Sequence, residues 1–204
     1  MKDKIYDAVK NGIRAIETLK ENDGIEFIDG AAQMIAQCYE NGGKVIIAGN
    51  GGSLCDAMHF SEELSGFFRK KRKALSAIAV CEQGFLSCIA NDVGYDYVFS
   101  RAVEAHGKPG DVFVALTTSG NSRNLQLAIE TAKNQGLSTI AFLGKDGGAT
   151  LGMADLQWLV KGFTTSDRIQ EAHMCAIHII IEMIEERLFG SKELLKKIQK
   201  SVTV

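Results

Sequence analysis

Two polar loops hold the residues of this sequence best suited to chemistry, and each follows directly on a short apolar run. The first loop is Gly49-Asn50-Gly51-Gly52-Ser53 and the second is Thr117-Thr118-Ser119-Gly120-Asn121-Ser122. The second loop combines hydroxyl groups with the free backbone N–H groups at the start of a predicted helix. Donors of both kinds bind phosphate monoesters. Either loop alone could equally be a simple turn, and in the second loop Ser122 would then be a helix N-cap. The matching placement of the two loops after apolar runs is what favours a ligand site.

The two loops also differ from the nucleotide-binding motifs. Neither contains the lysine of a P-loop, and neither shows the GxGxxG pattern with a later acidic residue that marks a dinucleotide site. Nucleoside triphosphates and NAD are therefore disfavoured as ligands, and a simpler phosphate monoester is preferred.

A second group of residues suits acid–base chemistry or a metal. His59 and Glu63 are four residues apart and share one face of a predicted helix. Gln170 and His178 lie on the last predicted helix, about 80° apart in projection. Together the four form a nitrogen and oxygen donor set of the kind that binds zinc. Taken alone, these residue types favour a surface salt bridge and a core histidine over a metal site.

Three further polar residues stand next to predicted helix ends. Asn91 and Asp92 follow a helical stretch, and Asp92 has no evident structural explanation. Asp167 precedes the last helix, where it is expected to be the N-cap. The glycine-rich stretch 144–148 is predicted to be a tight turn. The basic run 69–73 is interpreted as a solvated helix end, the alternative being a contact with a substrate phosphate.

Short apolar runs rich in β-branched residues provide the strands that would position both polar loops. Strands are predicted at 44–48, 77–80, 112–116, 139–143 and 156–160, and helices at 53–65, 86–90, 98–105 and 122–135. Nearly continuous apolar strands that alternate with helices predict an α/β fold, with a parallel sheet flanked by helices on both faces. In such a sheet, ligands bind beyond the carboxyl ends of the strands.

The two ends of the chain are predicted to be helical. Apolar residues at helical spacing indicate amphipathic helices within 5–16 and 28–38. The last long helix, 167–188, is apolar on most of its circumference, which predicts that it lies in a subunit interface. Residues 1–188 are predicted to form one domain, and the basic tail 189–204 a surface helix.

Composition narrows the class of protein. The chain has 204 residues, 46% of them apolar, and a net charge of −2, which argues against a duplex-binding protein. It lacks an apolar run long enough for a membrane span and has no signal-peptide pattern at its start. Its five cysteines are odd in number and show no CxxC spacing, which favours a cytoplasmic protein.

Taken together, these motifs resemble in order and spacing the phosphoheptose isomerases of the sugar isomerase (SIS) family. The resemblance lies in 49–53, Asp56-Ala-Met-His-Phe60 with Glu62-Glu63-Leu64, 118–122, 144–148, and Asp167-Arg-Ile-Gln-Glu171 followed by His178. It extends to about Leu188 and implies a single SIS domain. It also implies conversion of the ketose sedoheptulose 7-phosphate into the aldose D-glycero-D-manno-heptose 7-phosphate, for bacterial surface heptose. The expected protein is a cytoplasmic homotetramer with one zinc per subunit, without nucleic-acid or membrane partners.

The resemblance assigns roles to individual residues. The phosphate would be held by Thr117, Thr118, Ser119 and Ser122. The remaining substrate contacts would come from Asn50, Gly51, Gly52, Ser53, Glu63, Asn91, Asp92, Asp167 and Gln170. Glu63 and His178 would be the acid–base pair, and zinc would be bound by His59, Glu63, Gln170 and His178. Whether Glu63 acts as base, as ligand or as both is left open by the sequence.

The same fold offers two other functions. A related group of SIS proteins binds the bacterial replication initiator as an assembly factor, but it typically lacks counterparts of Glu63 and His178. SIS sugar-phosphate sensors are usually fused to a DNA-binding domain, for which this chain has no spare length. One departure from the isomerases is Phe67, where relatives commonly carry a basic residue, so Arg69 or Lys70 would have to replace it.

Overall fold

A five-stranded parallel sheet is the framework of the computed structural model, which describes residues 1–190. The strands are β1 (Val45–Gly49), β2 (Ala77–Ala79), β3 (Val112–Thr117), β4 (Ser138–Gly144) and β5 (Leu156–Val160). Their order in the sheet is β2-β1-β3-β4-β5, and every neighbouring pair is parallel. The predicted strands are thus confirmed to within two residues at each end.

Seven α-helices surround the sheet within the described residues. They are α1 (Lys2–Glu17), α2 (Asn22–Glu40), α3 (Gly52–Ser65), α4 (Gln83–Asp92), α5 (Val98–His106), α6 (Arg123–Asn134) and α7 (Ser166–Glu185), and a π-helical turn (Glu186–Gly190) follows α7. In the part of the chain described, no helix combines the length and apolar character required to cross a membrane. The predicted tail helix lies outside the described residues, apart from its first two positions.

Two helix ends differ from the sequence prediction. Asn91 and Asp92 are the last two residues of α4 rather than its successors. Asp167 is the second residue of α7, and the N-cap is Thr165. The prediction that Asp167 caps the helix is therefore wrong, because the N-cap lies two residues earlier, at Thr165.

Alternate residues of the central strands fill two separate cores, as expected for a sheet covered on both faces. Val45 and Ile47 of β1 belong to the core that contains α2, α3 and α7. Ile46 and Ala48 belong to the core that contains α5 and α6. Since both faces are buried, the strands are apolar throughout, which is why the sequence identifies them well.

The register of the sheet brings the two polar loops together. Strands β1 and β3 are neighbours, and Gly49 at the end of β1 pairs with Leu116 near the end of β3. The loops that follow these strands therefore open at the same edge of the sheet, where the fold predicts a ligand site.

The exposed apolar surface lies on α1 rather than on α7. Helix α7 packs against α1, α2 and α3, and Ile177, Ile180 and Ile181 on it are fully buried. One chain therefore covers most of the helix that was expected to need a partner subunit. On α1 the buried side consists of Gly12 and Ala15. The apolar stripe of α1 is between 41% and 58% exposed and consists of Ile5, Val9, Ile13 and Ile16.

Candidate active site

Both polar loops line one pocket of about 350 Å³ at the carboxyl edge of the sheet. Its walls are Asn50, Gly52, Ser53, Leu116, Thr117, Thr118, Ser119, Ser122, Ser166 and Gln170. Most of these residues were singled out from the sequence, and the structure brings them together. Ser166 was not predicted, and its hydroxyl lies 3.0 Å from that of Thr118.

Three helix N-termini converge on the pocket. Gly52 and Ser53 open α3, Ser122 caps α6, and Ser166 opens α7. The first turn of a helix presents unpaired N–H groups and the positive end of the helix dipole. The lining is built from neutral polar groups, so the pocket attracts an anion through dipoles and hydrogen-bond donors.

The second polar loop is held in shape by the carbonyl oxygen of Gly120. This oxygen accepts hydrogen bonds from the backbone N–H and the hydroxyl of Thr150, at 2.9 and 2.7 Å. Gly120 has a φ of +65°, and a Cβ atom at this position would overlap the carbonyl oxygen of Gly147. The predicted turn at 144–148 therefore supports the loop from behind, and glycine is required at position 120.

The hydroxyl groups of this loop remain able to bind a ligand. Ser122 is the N-cap of α6 by position, but its side chain makes no capping hydrogen bond. Ser119 Oγ accepts a hydrogen bond from the backbone N–H of Asn121 at 3.2 Å, which leaves its own proton to be donated. The structural explanation for Ser122, a side-chain cap, is therefore not realised.

The first polar loop is anchored by an amide pair that the sequence did not reveal. Asn50 and Asn124 exchange two hydrogen bonds of 3.0 Å, and the hydroxyl of Tyr95 donates to Asn50 Oδ1 at 3.0 Å. Asn124 is buried in the first turn of α6. A single asparagine in a helix carries no local signal of such a contact, which joins positions far apart in the chain.

Five predicted substrate residues do not line the pocket: Gly51, Glu63, Asn91, Asp92 and Asp167. Asn91 Nδ2 donates to Asp92 Oδ1 at 2.6 Å, and both residues are exposed at the end of α4. Asp167 is exposed on the first turn of α7, where hydrogen bonds from the Thr165 hydroxyl and the Arg168 backbone N–H lower its pKa. The Tyr95 hydroxyl links the segment after α4 to the pocket.

A histidine–glutamate triad lies farther along the same two helices. Nitrogen atoms of His59 and His178 and a carboxylate oxygen of Glu63 all lie within 4.8 Å of one another. The Nε2 atoms of the two rings are 2.9 Å apart, and His59 Nε2 is 3.7 Å from Glu63 Oε1. His59 is six residues beyond Ser53 on α3, about 9 Å along the helix axis. The triad is thus separated from the polar pocket by about two turns of α3.

Neighbouring groups set the tautomer of His59 and lower the pKa of His178. His59 Nδ1 lies 3.1 Å from Glu62 Oε1, which assigns the ring proton to Nδ1 and leaves a lone pair on Nε2. Burial lowers the pKa of His178, the nearby His59 and Arg69 lower it further, and Glu63 opposes them. These effects favour the neutral form of the His178 ring, the state in which imidazole binds metals and accepts protons.

The geometry of the triad fits a metal ion. Ligand atoms that surround tetrahedral zinc at bond lengths of about 2.0–2.1 Å lie about 3.4 Å from one another. The separations of 2.9 and 3.7 Å within the triad bracket this value. A carboxylate on the outer nitrogen of a ligating histidine, as Glu62 provides for His59, is also typical of metal sites.

The fourth predicted ligand, Gln170, lies at the pocket end of α7. Its Nε2 donates to Ser53 Oγ at 3.3 Å, and a Cβ atom at Gly52 would lie only 2.6 Å from it. Gln170 precedes His178 by eight residues, or about 12 Å along the helix axis. Gln170 therefore lies at the pocket, on the helix that also carries His178 of the triad.

A buried carboxyl group lies one helical turn before His59. Burial raises the pKa of Asp56 to about 6, and the nearby His59 opposes this shift. Among the described residues, Asp56 Oδ2 has no hydrogen-bond partner. Asp56 therefore adds negative potential on the inner side of His59.

Comparisons with known proteins agree with this arrangement. The SIS domain family model matches residues 6–144. A phosphoheptose isomerase of Vibrio vulnificus is 52% identical over 170 residues, which cover 83% of this chain and 89% of the relative. One from Fusobacterium nucleatum is 47% identical over 184 residues, covering 90% of this chain and 91% of the relative. The solved structure of the phosphoheptose isomerase from Neisseria gonorrhoeae is 34% identical, with a TM-score of 0.82 over 91% of this chain and 98% of that one.

Proposed function

The chain belongs to the phosphoheptose isomerases of the SIS-domain family, and on this premise we propose that it isomerises sedoheptulose 7-phosphate to D-glycero-D-manno-heptose 7-phosphate. The observation that carries the proposal is the joint presence of an anion-binding pocket and the triad on the same two helices. A sugar 7-phosphate carries its phosphate and its reacting carbons at opposite ends. The product would serve bacterial surface heptose synthesis.

The phosphate binds to the loop after β3 in this proposal. Thr117, Thr118, Ser119 and Ser122 donate their hydroxyl protons, and the α6 N-terminus adds backbone N–H groups. Asn50, Gly51, Gly52, Ser53 and Gln170 contact the sugar between the phosphate and the triad. Asn91 and Asp92, next to the segment that Tyr95 ties to Asn50, and Asp167, on the first turn of α7, complete the proposed sugar contacts.

Glu63 and His178 carry the proton transfers. Glu63 removes a proton from C1 of the ketose and returns it to C2 of the resulting enediol. Neutral His178, while its lone pair is not bound to a metal, accepts the proton of the C1 hydroxyl and delivers a proton to the oxygen on C2. Every proton removed is returned, so the reaction needs no other reactant. The lowered pKa of His178 keeps it in the neutral form that accepts the first proton.

We propose zinc as the metal of the triad, one ion per subunit. His59, Glu63 and His178 would hold it, and Gln170 is the predicted fourth ligand. When bound, zinc would stabilise negative charge on the oxygens of the enediolate. The donor set of two imidazoles, a carboxylate and an amide suits zinc better than magnesium or calcium, which prefer oxygen ligands.

A turnover assay tests the proposed function. Purified protein, stripped of metal and then supplied with zinc, is incubated with sedoheptulose 7-phosphate, and the aldose product is measured. We expect conversion, and we expect it to slow strongly with unphosphorylated sedoheptulose as the matched control. Failure to convert the phosphate with or without zinc would refute the isomerase and favour the assembly factor that binds the replication initiator.

We also propose a cytoplasmic homotetramer. The apolar stripe of α1 supports subunit contacts, because four large aliphatic side chains on one helix face are costly to leave in water. The cysteines are free thiols, which suits a reducing compartment. The N-terminal helices and α7 are the expected contact elements.

A further inference from the structure

A buried ion pair lies at the end of the helix pair that carries the triad. Arg72 Nε donates to Glu185 Oε1 at 2.7 Å, and each side chain is only 1% exposed. The basic run 69–73 was expected to be a solvated helix end, but α3 ends at Ser65 and Arg72 turns inward. Burying two charges often costs as much as their attraction returns, so such a pair is weak evidence for stability.

The remaining donors of Arg72 cap the C-terminus of α3. Its Nη2 donates to the carbonyl oxygen of Glu63 at 2.8 Å, and its Nη1 donates to that of Leu64 at 2.8 Å. The last carbonyl groups of a helix have no partner within it, so an arginine that binds them fixes the final turn. Here that turn carries Glu63, the carboxylate of the triad.

Glu185 holds the segment that covers His178. Its Oε2 accepts the backbone N–H groups of Arg69 and Lys70 at 3.3 and 3.2 Å. The residue immediately before them, Phe68, stacks on the ring of His178 with a centroid distance of 5.7 Å and an interplanar angle of 25°. The ion pair is therefore linked to both Glu63 and His178 through short chains of contacts.

We propose that Arg72 and Glu185 are positioning residues for the triad. Arg72 sets the backbone at Glu63, and Glu185 keeps Phe68 against the ring of His178. Neither residue touches the substrate. The inference rests on the proposed function, since it requires that the triad bind zinc and transfer protons.

Two single variants test the positioning role. Glu185→Gln keeps the shape of the side chain but loses its charge and one acceptor oxygen, and Arg72→Lys keeps the charge but loses the forked donor set. We expect zinc affinity, measured by competition with a chromophoric chelator, to fall about 10–100-fold, and kcat to fall similarly. KM should change less than threefold, because the phosphate-binding loop is remote. Glu104→Gln, in the exposed Arg101–Glu104 pair on α5, is the matched control and should equal the wild type.

A double variant separates positioning from stability. Arg72→Met/Glu185→Met removes both buried charges together, an exchange that often leaves stability unchanged. We expect its zinc affinity and kcat to fall as in the single variants, at a temperature where circular dichroism shows it folded. Wild-type zinc affinity and kcat in all three folded variants would overturn the positioning role. If the wild-type protein itself neither bound zinc nor isomerised, the proposed function would fail instead.

Discussion

At the scale of single residues, the hydroxyl groups of Ser119 and Ser122 test the phosphate assignment. Ser119→Ala and Ser122→Ala each remove one hydrogen bond to a charged group, a loss of about 1.5–3 kcal/mol, or roughly 10- to 150-fold in binding. Because the phosphate is remote from the reacting carbons, the lost binding energy is mostly uniform, and KM should rise more than kcat falls. Steady-state kinetics measures both quantities. If both variants kept the wild-type KM, the loop after β3 would not be the phosphate-binding site.

Glu63 and His178 can be separated by their contributions to metal binding and to proton transfer. Glu63→Gln keeps a carbonyl oxygen that can ligate zinc but cannot act as a base, whereas His178→Gln loses an imidazole, the better zinc ligand. We expect both variants to be inactive and Glu63→Gln to retain more zinc. Metal analysis beside a turnover assay decides the point. Full activity of Glu63→Gln would show that this carboxylate does not transfer the proton, whatever the zinc content of the variant.

At the scale of elements, the turn at 144–148 and the loop after β3 act as one unit. Gly120→Ala would force a Cβ atom into the Gly147 carbonyl group, so the loop has to move, and we expect KM to rise more than tenfold. Gly152→Ala is the matched control, because Gly152 has a φ of +85° but open space around it. The control should lose only about 1–2 kcal/mol of stability and keep its KM. Equal KM values in the two variants would show that the support from Gly147 is unimportant.

The elements also show what the sequence can and cannot predict. Strand β5 is found at the predicted residues 156–160, because its own apolar run marks it even though it is an edge strand in which only Trp158 and Val160 are buried. Helix α4 is longer than its apolar stretch 86–90, because its first turn depends on the side chain of Glu82, which accepts from the N–H groups of Gly84 and Phe85. A local apolar pattern in the sequence does not indicate such side-chain hydrogen bonds at a helix N-terminus.

Contacts between distant positions escape the sequence altogether. Arg72 was expected in solvent, since five consecutive basic residues usually form a solvated face. Its partner Glu185 lies 113 positions away, and nothing near either residue marks the pair. The triad shows the same limit: residue types and helical spacing favoured ordinary roles for His59 and His178, and only the resemblance to a family pointed to a metal.

At the scale of the whole molecule, the burial of one histidine is expected to make the free energy of unfolding depend on pH. His173 is fully buried, its Nε2 donates to the Leu143 carbonyl oxygen at 3.0 Å, and its Nδ1 lacks a partner among the described residues. Burial lowers its pKa from 6.5 to about 4. The unfolded chain therefore binds the proton more readily, so this contribution to stability is complete above pH 6.5 and lost as pH falls towards 4.

The loss due to His173 amounts to about 3 kcal/mol over this range. Urea unfolding at pH 7.5, 6 and 5, at one protein concentration, measures it. In His173→Phe, whose ring suits the contacts with Phe142 and Trp158, we expect a clearly smaller change with pH. The exposed His106→Gln is the control and should keep the wild-type dependence. An unchanged pH dependence in His173→Phe would assign the acid sensitivity to other groups.

The apolar stripe of α1 provides the last prediction, which concerns assembly. Light scattering at micromolar concentration should give the mass of a tetramer. Val9→Glu/Ile13→Glu places two charges in the middle of the stripe, and we expect dissociation into smaller species, because a charge buried without a partner costs several kcal/mol. The fold of each chain should survive, since the buried side of α1 is formed by Gly12 and Ala15. Lys4→Glu/Lys10→Glu alters charge on the same helix outside the stripe and should leave the tetramer intact. A wild-type monomer, or a tetramer that persists in Val9→Glu/Ile13→Glu, would place the stripe outside any subunit contact.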